Sequence, residues 1–419
     1  MNRIYTLLSL FFILQSCTQT KTDYLRDNSF DLSSKDFDFP QKDFKIIGFG
    51  AYHGSAKTED VELSLIHSLT KTGAFKYYFP EVDYSKAYFY NKYLQTGDTL
   101  LLKDLIIHNG FHVPQERTIE AYEKWKKMKK INDELPVENK IKILGLDLMK
   151  NYKYVSKHIL ELVNGDAQAE IKTVREIREM VETDTTYFTM EKSSIAYEKL
   201  QHLVIDFEKN KTLYSSNVGN MEAFEHLMNN LKASFEENQE REKTIYDNYV
   251  ALDAIHNFKN NSQFVRMGFF HIEKSREGKE GYPSFFTRLI ENGIYDKEEV
   301  LSIIGYLTKS KVVWEETYDN EGNYSGFTTE AGFGIGDYEK EYFRGIQHLK
   351  DAKLSDETLF RLNLPKTPYA INEPDLIDVV MQDEASNSEA VKGMSTLDFL
   401  DYAVLISDSK ASTPIYEMK

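Results

Sequence analysis

The chain has 419 residues, of which 41% are hydrophobic and 13% aromatic, so it can bury a substantial core and is not globally disordered. Its formal net charge is −16, and its lysines and arginines form no basic stripe. This charge pattern argues against nucleic acid as a partner and against electrostatic attachment to anionic lipid.

The N-terminus has the pattern of a bacterial lipoprotein signal. Arg3 supplies a positive charge, and residues 7–14 form an apolar run that is too short for a bilayer, which takes roughly 20 residues. The run ends in Leu-Gln-Ser-Cys, which resembles a lipobox, and Cys17 is the only cysteine of the chain. We predict a signal peptide over residues 1–16, lipidation of Cys17, and attachment to the cell envelope, facing the periplasm or the cell surface. An ordinary signal peptide or a chance cysteine is the alternative.

The remainder of the chain predicts a tether followed by one domain. Residues 17–43 are polar with alternating Asp and Lys, which is typical of a linker. Residues 44–419 are predicted to form a single α/β domain, with helices around a short, mainly parallel central sheet. A long helical insertion is expected at about residues 155–257, because the strands on either side of it look like parts of one sheet.

Apolar runs that predict strands alternate with helical patterns along this domain. Helical spacing of apolar residues follows the first and second runs and continues through the insertion. A glycine-rich run at residues 332–336 lacks the third glycine of a dinucleotide fingerprint at the required position and is interpreted as turns. The strands are predicted at residues 45–50, 76–79, 141–146, 264–270, 300–307 and 402–406.

Four predicted strands lead into side chains that can carry chemistry: His53, Glu81, Asp147 and His271. In open parallel sheets the ligand crevice lies outside the carboxyl ends of the strands, so we expect these four strand ends to converge on one site. His53 lies in a Gly-x-x-His-Gly turn, and histidine is the side chain most easily tuned to act as a base near neutral pH. A capping or packing histidine, a carboxylate bonded to backbone amides, and a helix-capping aspartate are the structural alternatives.

Two further residues are candidates for binding. Arg241 and Glu242 begin a predicted helix and could pin the sheet or face an anionic substrate; a solvated ion pair is the alternative. His112 lies close to a glycine and a proline and could form a pocket wall. The chain contains no Gly-x-Ser-x-Gly elbow, no His-Glu-x-x-His motif and no P-loop.

The order of these motifs resembles that of the erythromycin esterase-like hydrolases, a family that looks related to haem-uptake proteins and to Gly-x-x-His metalloprotease-like proteins. Residues 50–55 look like the Glu-x-x-His-Gly turn of the family, except that Gly50 stands at the position of the glutamate. The other similar segments are residues 79–81, 144–147, 241–243, 268–271 and 399–403.

The resemblance implies a role for each of three residues. His53 would activate water for attack on an ester or lactone carbonyl, Glu81 would hold and polarise His53, and His271 would stabilise the oxyanion or protonate the leaving group. The expected partner is a small-molecule ester or lactone, and no cofactor is expected. The metalloprotease-like relatives suggest that His53, Glu81 and His271 could instead bind one divalent metal.

The sequence leaves a second reading open. The chain could be a catalytically degenerate envelope lipoprotein that binds haem or another ligand in the same pocket. Gly50 and the 27 tyrosines and 26 phenylalanines motivate this alternative, although such aromatics are more often part of a core.

Overall fold

A computed structural model describes residues 19–71, 75–165, 171–331, 337–381 and 386–419. The predicted signal peptide, Cys17 and the glycine-rich run at 332–336 lie outside the described residues. The α-helices of the described ranges are α1 Lys21–Asp27, α2 Ala56–Thr70, α3 Tyr84–Thr96, α4 Thr99–Asn109, α5 Ile119–Glu134, α6 Lys153–Leu162, α7 Lys172–Thr183, α8 Ile195–Lys209, α9 Lys211–Ser215, α10 Met221–Ala233, α11 Arg241–His256, α12 Phe285–Glu291, α13 Ile346–Ala352, α14 Ser388–Val391 and α15 Thr396–Phe399.

The strands of the same ranges are β1 Ser29–Asp31, β2 Ile46–Gly50, β3 Phe75–Pro80, β4 Lys142–Ile143, β5 Ser262–Met267, β6 Val300–Thr308, β7 Val312–Tyr318, β8 Tyr324–Glu330, β9 Asp337–Tyr338, β10 Glu341–Phe343, β11 Glu357–Arg361, β12 Val379–Met381 and β13 Tyr402–Ser407. Two short 3₁₀ helices, Pro114–Glu116 and Phe269–Ile272, contribute to the site described below.

An eight-stranded sheet forms the centre of the fold, with strand order β1-β11-β13-β6-β2-β5-β3-β4. All pairs from β13 to β4 are parallel, whereas β11 pairs antiparallel with both β1 and β13. Every residue of β2 is buried, because β2 lies between β5 and β6 with helices on both faces of the sheet. This arrangement confirms the predicted fold class, a mainly parallel sheet surrounded by helices.

Two predicted strands are shorter than their apolar runs. β4 pairs over two residues only, and on its outer side the amide of Asn91 donates to the Ile143 carbonyl at 2.7 Å and accepts from the Ile143 N–H at 2.9 Å. β5 ends at Met267, and residues Phe269–Ile272 form a 3₁₀ turn instead of continuing the strand. In both cases local hydrogen bonds replace the ladder bonds that the hydrophobic pattern predicts.

The prediction of a tether is wrong for residues 19–43. This segment forms α1 and then β1, which adds an antiparallel edge strand to β11. Its buried side chains are Tyr24, Leu25, Leu32, Phe37 and Phe39. They follow neither a helical nor a strand period, so the many polar residues between them concealed their contribution to the core.

Buried side chains form three hydrophobic clusters in the described residues. One lies between the sheet and α2, α3 and α5, and a second lies between the sheet and α11 to α13. The third belongs to the helices between β4 and β5, where the long helical insertion was expected. No helix in the described ranges is both long enough and apolar enough to cross a membrane.

Candidate active site

His53 lies in the turn between β2 and α2, at the carboxyl edge of the sheet. Gly54, the next residue, has a φ of +84°, a backbone conformation that glycine adopts without strain. At the end of β2, a Cβ built on Gly50 would lie 2.5 Å from the Cα of Phe269. The strand that leads to His53 is therefore in direct backbone contact with the 3₁₀ turn that carries His271.

The imidazole of His53 lies between two carboxylates. Its Nδ1 is 2.7 Å from Oε1 of Glu116, and its Nε2 is 3.2 Å from Oε2 of Glu81. Asn109 donates to the second Glu116 oxygen at 3.0 Å, which fixes the carboxylate in position. Burial disfavours the charged imidazole, but Glu116 and Glu81 raise the pKa of His53 to about 9. Burial also opposes ionisation of Glu116, yet the charges of His53 and Lys124 lower the pKa of Glu116 to about 2.

Glu81 lies at the centre of the cluster. Its Oε2 accepts a hydrogen bond from the Gly268 N–H at 3.0 Å, and its Oε1 accepts one from Nη2 of Arg241 at 2.5 Å. Nε2 of His271 lies 4.0 Å from the same Oε1. Burial opposes the ionised form, but the neighbouring His53, His271 and Arg241 hold the pKa of Glu81 well below its usual range. This carboxylate is therefore a stable anion that faces both imidazoles.

His271 has a carboxylate of its own. Its Nδ1 lies 2.5 Å from Oε1 of Glu242, and the other Glu242 oxygen accepts a hydrogen bond from the Phe285 N–H at 2.8 Å. Burial lowers the pKa of His271, but Glu242 and Glu81 together raise it above the ordinary value. Each of the two histidines thus has a carboxylate at Nδ1 and directs Nε2 towards Glu81.

The first turn of α11 supplies two of the charged groups. Glu242 reaches His271, while Arg241 forms a bidentate pair with Asp147, with Nε 3.0 Å from Oδ1 and Nη2 2.5 Å from Oδ2. His112 joins this pair through Nε2, which is 2.6 Å from the Asp147 Oδ2. Burial opposes ionisation of Asp147, but His112 and Arg241 hold its pKa far below the usual value. Asp147 itself follows β4 and donates its N–H to the Val82 carbonyl at 3.1 Å.

The structure offers a different possible metal ligand set from the one suggested by the sequence. Within the described ranges, Glu81, His112 and Asp147 offer three ligand atoms that all lie within 4.8 Å of one another. Nη2 of Arg241 lies 2.5 Å from Glu81, 2.5 Å from Asp147 and 3.1 Å from His112, so a guanidinium already occupies the centre of this set. A cation in that position would repel a divalent metal. The three residues therefore do not fit a metal while Arg241 is in place.

All six residues proposed from the sequence lie in this cluster. His53 and His271 each approach Glu81, Arg241 pairs with Glu81, and Asp147 and His112 join the cluster through Arg241. The sequence reading missed Glu116, whose contact with His53 spans 63 positions. In the sequence, Glu242 stands out only as the neighbour of Arg241. No motif or periodicity connects either Glu116 or Glu242 to a histidine.

Comparison with known proteins supports this fold at low sequence identity. No protein-family model matches the chain, and no curated protein matches it either. Three solved structures are similar over most of both chains. They are a protein from Bacillus cereus (TM-score 0.61, 14% identity, covering 94% of this chain and 98% of that one), a succinoglycan biosynthesis protein (0.60, 13%, 95% and 99%) and the erythromycin esterase EreC in its open conformation (0.54, 12%, 89% and 93%).

These likenesses concern the course of the backbone. At 12–14% identity they show the fold and leave the chemistry of the side chains to be argued separately. The resemblance to the erythromycin esterase-like family, which the motifs indicated, is confirmed at the level of the fold.

Proposed function

We propose that the chain is a hydrolase of a carboxylic ester or lactone, tethered to the cell envelope through a lipid on Cys17. The main support for hydrolysis is that His53 and His271 both approach the Glu81 carboxylate. Each histidine also has a second carboxylate at Nδ1. Two oriented imidazoles that face one carboxylate can act as a general base and a general acid in the same reaction. The lipid anchor rests on the sequence alone.

In the proposed reaction, neutral His53 accepts a proton at Nε2 from a water molecule, and the oxygen of that water attacks the carbonyl carbon. Glu116 keeps the remaining imidazole proton on Nδ1, which leaves the Nε2 lone pair free to act as the base. The same carboxylate stabilises the imidazolium that forms, as the orienting acid does in Ser-His-Asp triads.

His271 is the proposed electrophile. Its N–H at Nε2 would donate to the carbonyl oxygen as negative charge develops there, and its raised pKa favours the protonated form. The 4.0 Å between Nε2 and Oε1 of Glu81 is longer than a hydrogen bond, so this N–H is not engaged by Glu81 and can donate to a substrate oxygen. When the carbon–oxygen bond breaks, the leaving oxygen takes a proton from His53 or His271. The products are a carboxylic acid and an alcohol for an ester, and a single hydroxy acid for a lactone.

Glu81 would connect the two imidazoles. The Gly268 N–H and Arg241 hold it in position, and its negative charge favours protonated histidine on both sides. A substrate that entered between Glu81 and His53 would weaken this pair and free the His53 lone pair for catalysis. Arg241 and Asp147, which pair with each other, would support Glu81 and would not contact the reacting carbonyl.

The catalytic proposal is tested with chain that lacks residues 1–17, assayed on p-nitrophenyl acetate and butyrate. We expect His53→Ala to lower kcat/KM by about 10²-fold or more. His202→Ala is the matched control, because His202 is exposed on α8. Equal rates for the wild type and His53→Ala would refute the role of His53.

The membrane anchor has its own test. The full-length chain expressed in a bacterium should incorporate labelled palmitate and fractionate with membranes. Cys17→Ala should remove both properties, since Cys17 is the only cysteine. Membrane fractionation that survives Cys17→Ala would refute lipidation at this position.

Haem binding is the weaker alternative. Haem binds through a broad apolar surface and an axial ligand, whereas this candidate site is bordered by eight ionisable side chains that pair with one another. They are His53, Glu81, His112, Glu116, Asp147, Arg241, Glu242 and His271. A spectral change on titration of haem into micromolar protein, lost in His53→Ala, would favour the alternative over hydrolysis.

A further inference from the structure

An open cleft of about 480 Å³ lies beside the turn that carries His53. One wall is formed around the 3₁₀ helix Pro114–Glu116, and the other by β7 of the β7–β8 hairpin. The Val313 N–H donates to the Gly54 carbonyl at 2.9 Å, and Gln115, which lines the cleft, precedes Glu116 in the chain. The cleft therefore borders the backbone on both sides of the His53–Glu116 pair.

The surface around the cleft is rich in exposed aromatic rings. Trp314 and Tyr318 line it and are 40% and 49% exposed, and Phe111 and Tyr416 flank it at 47% and 39%. Tyr324 connects two of these rings, with centroids 6.2 Å from Tyr318 and 5.1 Å from Tyr416. Isolated exposed aromatics are common, but a contiguous group of this kind is characteristic of a binding surface.

The polar groups between these rings are planar and charge-balanced. The guanidinium of Arg117 lies over the rings of Phe111 at 5.5 Å and Tyr416 at 5.9 Å, and its Nη1 donates to Glu316 at 2.8 Å. The Tyr318 hydroxyl donates to the same carboxylate oxygen at 2.6 Å. The cleft thus presents aromatic faces together with a planar Arg117–Glu316 pair.

We propose that this cleft binds a saccharide. A sugar ring presents C–H groups to aromatic faces and hydroxyl groups to planar side chains such as those of Arg117 and Glu316. A phosphorylated ligand would instead need surplus positive charge, which the paired Arg117 does not supply. A purely apolar acyl chain would remove the Arg117–Glu316 pair from water without offering it a hydrogen bond, which is costly.

The saccharide proposal deepens the proposed function. The cleft borders the His53 turn, so a saccharide long enough to extend from the cleft past this turn would carry an ester on one of its hydroxyl groups to Nε2 of His53. The substrate class is therefore an acylated saccharide. This second step rests on the hydrolase proposal, whereas saccharide binding itself does not.

Tryptophan fluorescence can measure occupation of the cleft directly. The chain has two tryptophans, and Trp125 is 3% exposed whereas Trp314 is 40% exposed, so acrylamide quenches mainly Trp314. We would titrate the His53→Ala chain, which should not turn over ester, with xylohexaose, cellohexaose, mannohexaose and acetylated xylohexaose. At least one of them should lower the acrylamide quenching constant about twofold, with a dissociation constant in the micromolar to millimolar range.

Tyr318→Ala should weaken this binding by about tenfold, which corresponds to the loss of one aromatic contact. Tyr187→Ala is the matched control, because Tyr187 is 77% exposed and lies between α7 and α8, in the helical insertion. If none of the four hexasaccharides protects the tryptophan at about 10 mM, or if Tyr318→Ala binds as tightly as Tyr187→Ala, the saccharide site is refuted.

The two proposals can fail separately. Protection of Trp314 by a hexasaccharide in a protein that cleaves no ester would support the cleft and refute the hydrolase. Cleavage of p-nitrophenyl esters without any protection of Trp314 would refute the cleft and leave the hydrolase intact. If both proposals are right, Tyr318→Ala should raise KM for acetylated xylohexaose and leave kcat nearly unchanged.

Discussion

Glu116 lies 2.7 Å from Nδ1 of His53, although the two residues are 63 positions apart in the chain. In the resembled family, a glutamate stands three residues before this histidine, where the present chain has Gly50. A side chain at position 50 would collide with the backbone of Phe269, because a Cβ built on Gly50 would lie 2.5 Å from the Cα of Phe269. In this chain the acid beside the histidine is therefore supplied by a 3₁₀ turn. Gly50 does not by itself imply that His53 lacks an acidic partner.

Replacing Glu116 with glutamine should separate its two effects on His53. Without the anion the pKa of His53 should fall from about 9 towards its ordinary value, so the pH at which activity is half-maximal should fall as well. The maximal rate should drop by about 10²-fold, because the imidazolium loses its stabilising partner. The pH dependence of ester hydrolysis measures both the pKa of His53 and the maximal rate. Glu123→Gln, on the surface of α5, is the control. An unchanged profile in Glu116→Gln would contradict the orienting role.

The wild-type enzyme should work best in alkaline solution. Only neutral His53 can accept a proton from water, and its pKa is raised to about 9 by Glu116 and Glu81, against the effect of burial. The value of kcat/KM should therefore rise with pH until about 9. A rising limb near pH 6.5 would contradict the raised pKa of His53, and a profile without any rising limb would show that His53 is not the base.

The same pKa shift should appear in the folding stability. The pKa of His53 is about 9 in the folded protein and about 6.5 in an unfolded chain, so its contribution is fully present below pH 6.5 and is lost as the pH rises through 9. The free energy of unfolding should fall by up to about 3 kcal/mol over this interval. Urea unfolding at several pH values measures it. The difference in unfolding free energy between the wild type and His53→Asn should shrink as the pH rises. A constant difference would argue against the raised pKa of His53.

Gly50→Ala should disturb the contact between β2 and the His271 turn. The added methyl group would meet the Cα of Phe269 at 2.5 Å and Ile272 at 2.9 Å, so the turn must move. We expect a loss of about 1–3 kcal/mol in unfolding free energy and a marked loss of activity. Gly165→Ala is the control, because a Cβ there would have no neighbour within 4 Å among the described residues. Thermal unfolding compares the two variants, and equal stabilities would show that the close approach is unimportant.

Removal of the Arg241 guanidinium from between Glu81, His112 and Asp147 should create a metal site. In Arg241→Ala, the ligand atoms of Glu81, His112 and Asp147 would remain within 4.8 Å of one another with no cation between them. A carboxylate–imidazole–carboxylate set of this kind suits Zn²⁺. Isothermal titration should detect Zn²⁺ binding to Arg241→Ala that is at least tenfold tighter than to the wild type. Arg344→Ala, which loses a pair with Asp378 away from the site, should behave like the wild type. Equal zinc affinities would contradict this role of Arg241.

Local sequence patterns were sufficient to predict the central sheet. The apolar runs that became β2, β3, β5, β6 and β13 are recognisable because buried parallel strands are apolar over most of their length. The positions of His53, Glu81, Asp147 and His271 after such runs then place them at one edge of the sheet, because the carboxyl ends of parallel strands meet there. The general location of the site was therefore predictable without coordinates.

The contacts within the site could only be learned from the folded chain. Glu116 comes from a short 3₁₀ helix and Glu242 from a helix start, and neither position has a sequence period that would connect it to a histidine. The position of Arg241 between Glu81 and Asp147 likewise depends on how α11 packs beside β3 and β4. Hydrophobic periodicity reports which face of an element is buried, whereas these ion pairs join residues far apart in the chain and form only when several elements pack together.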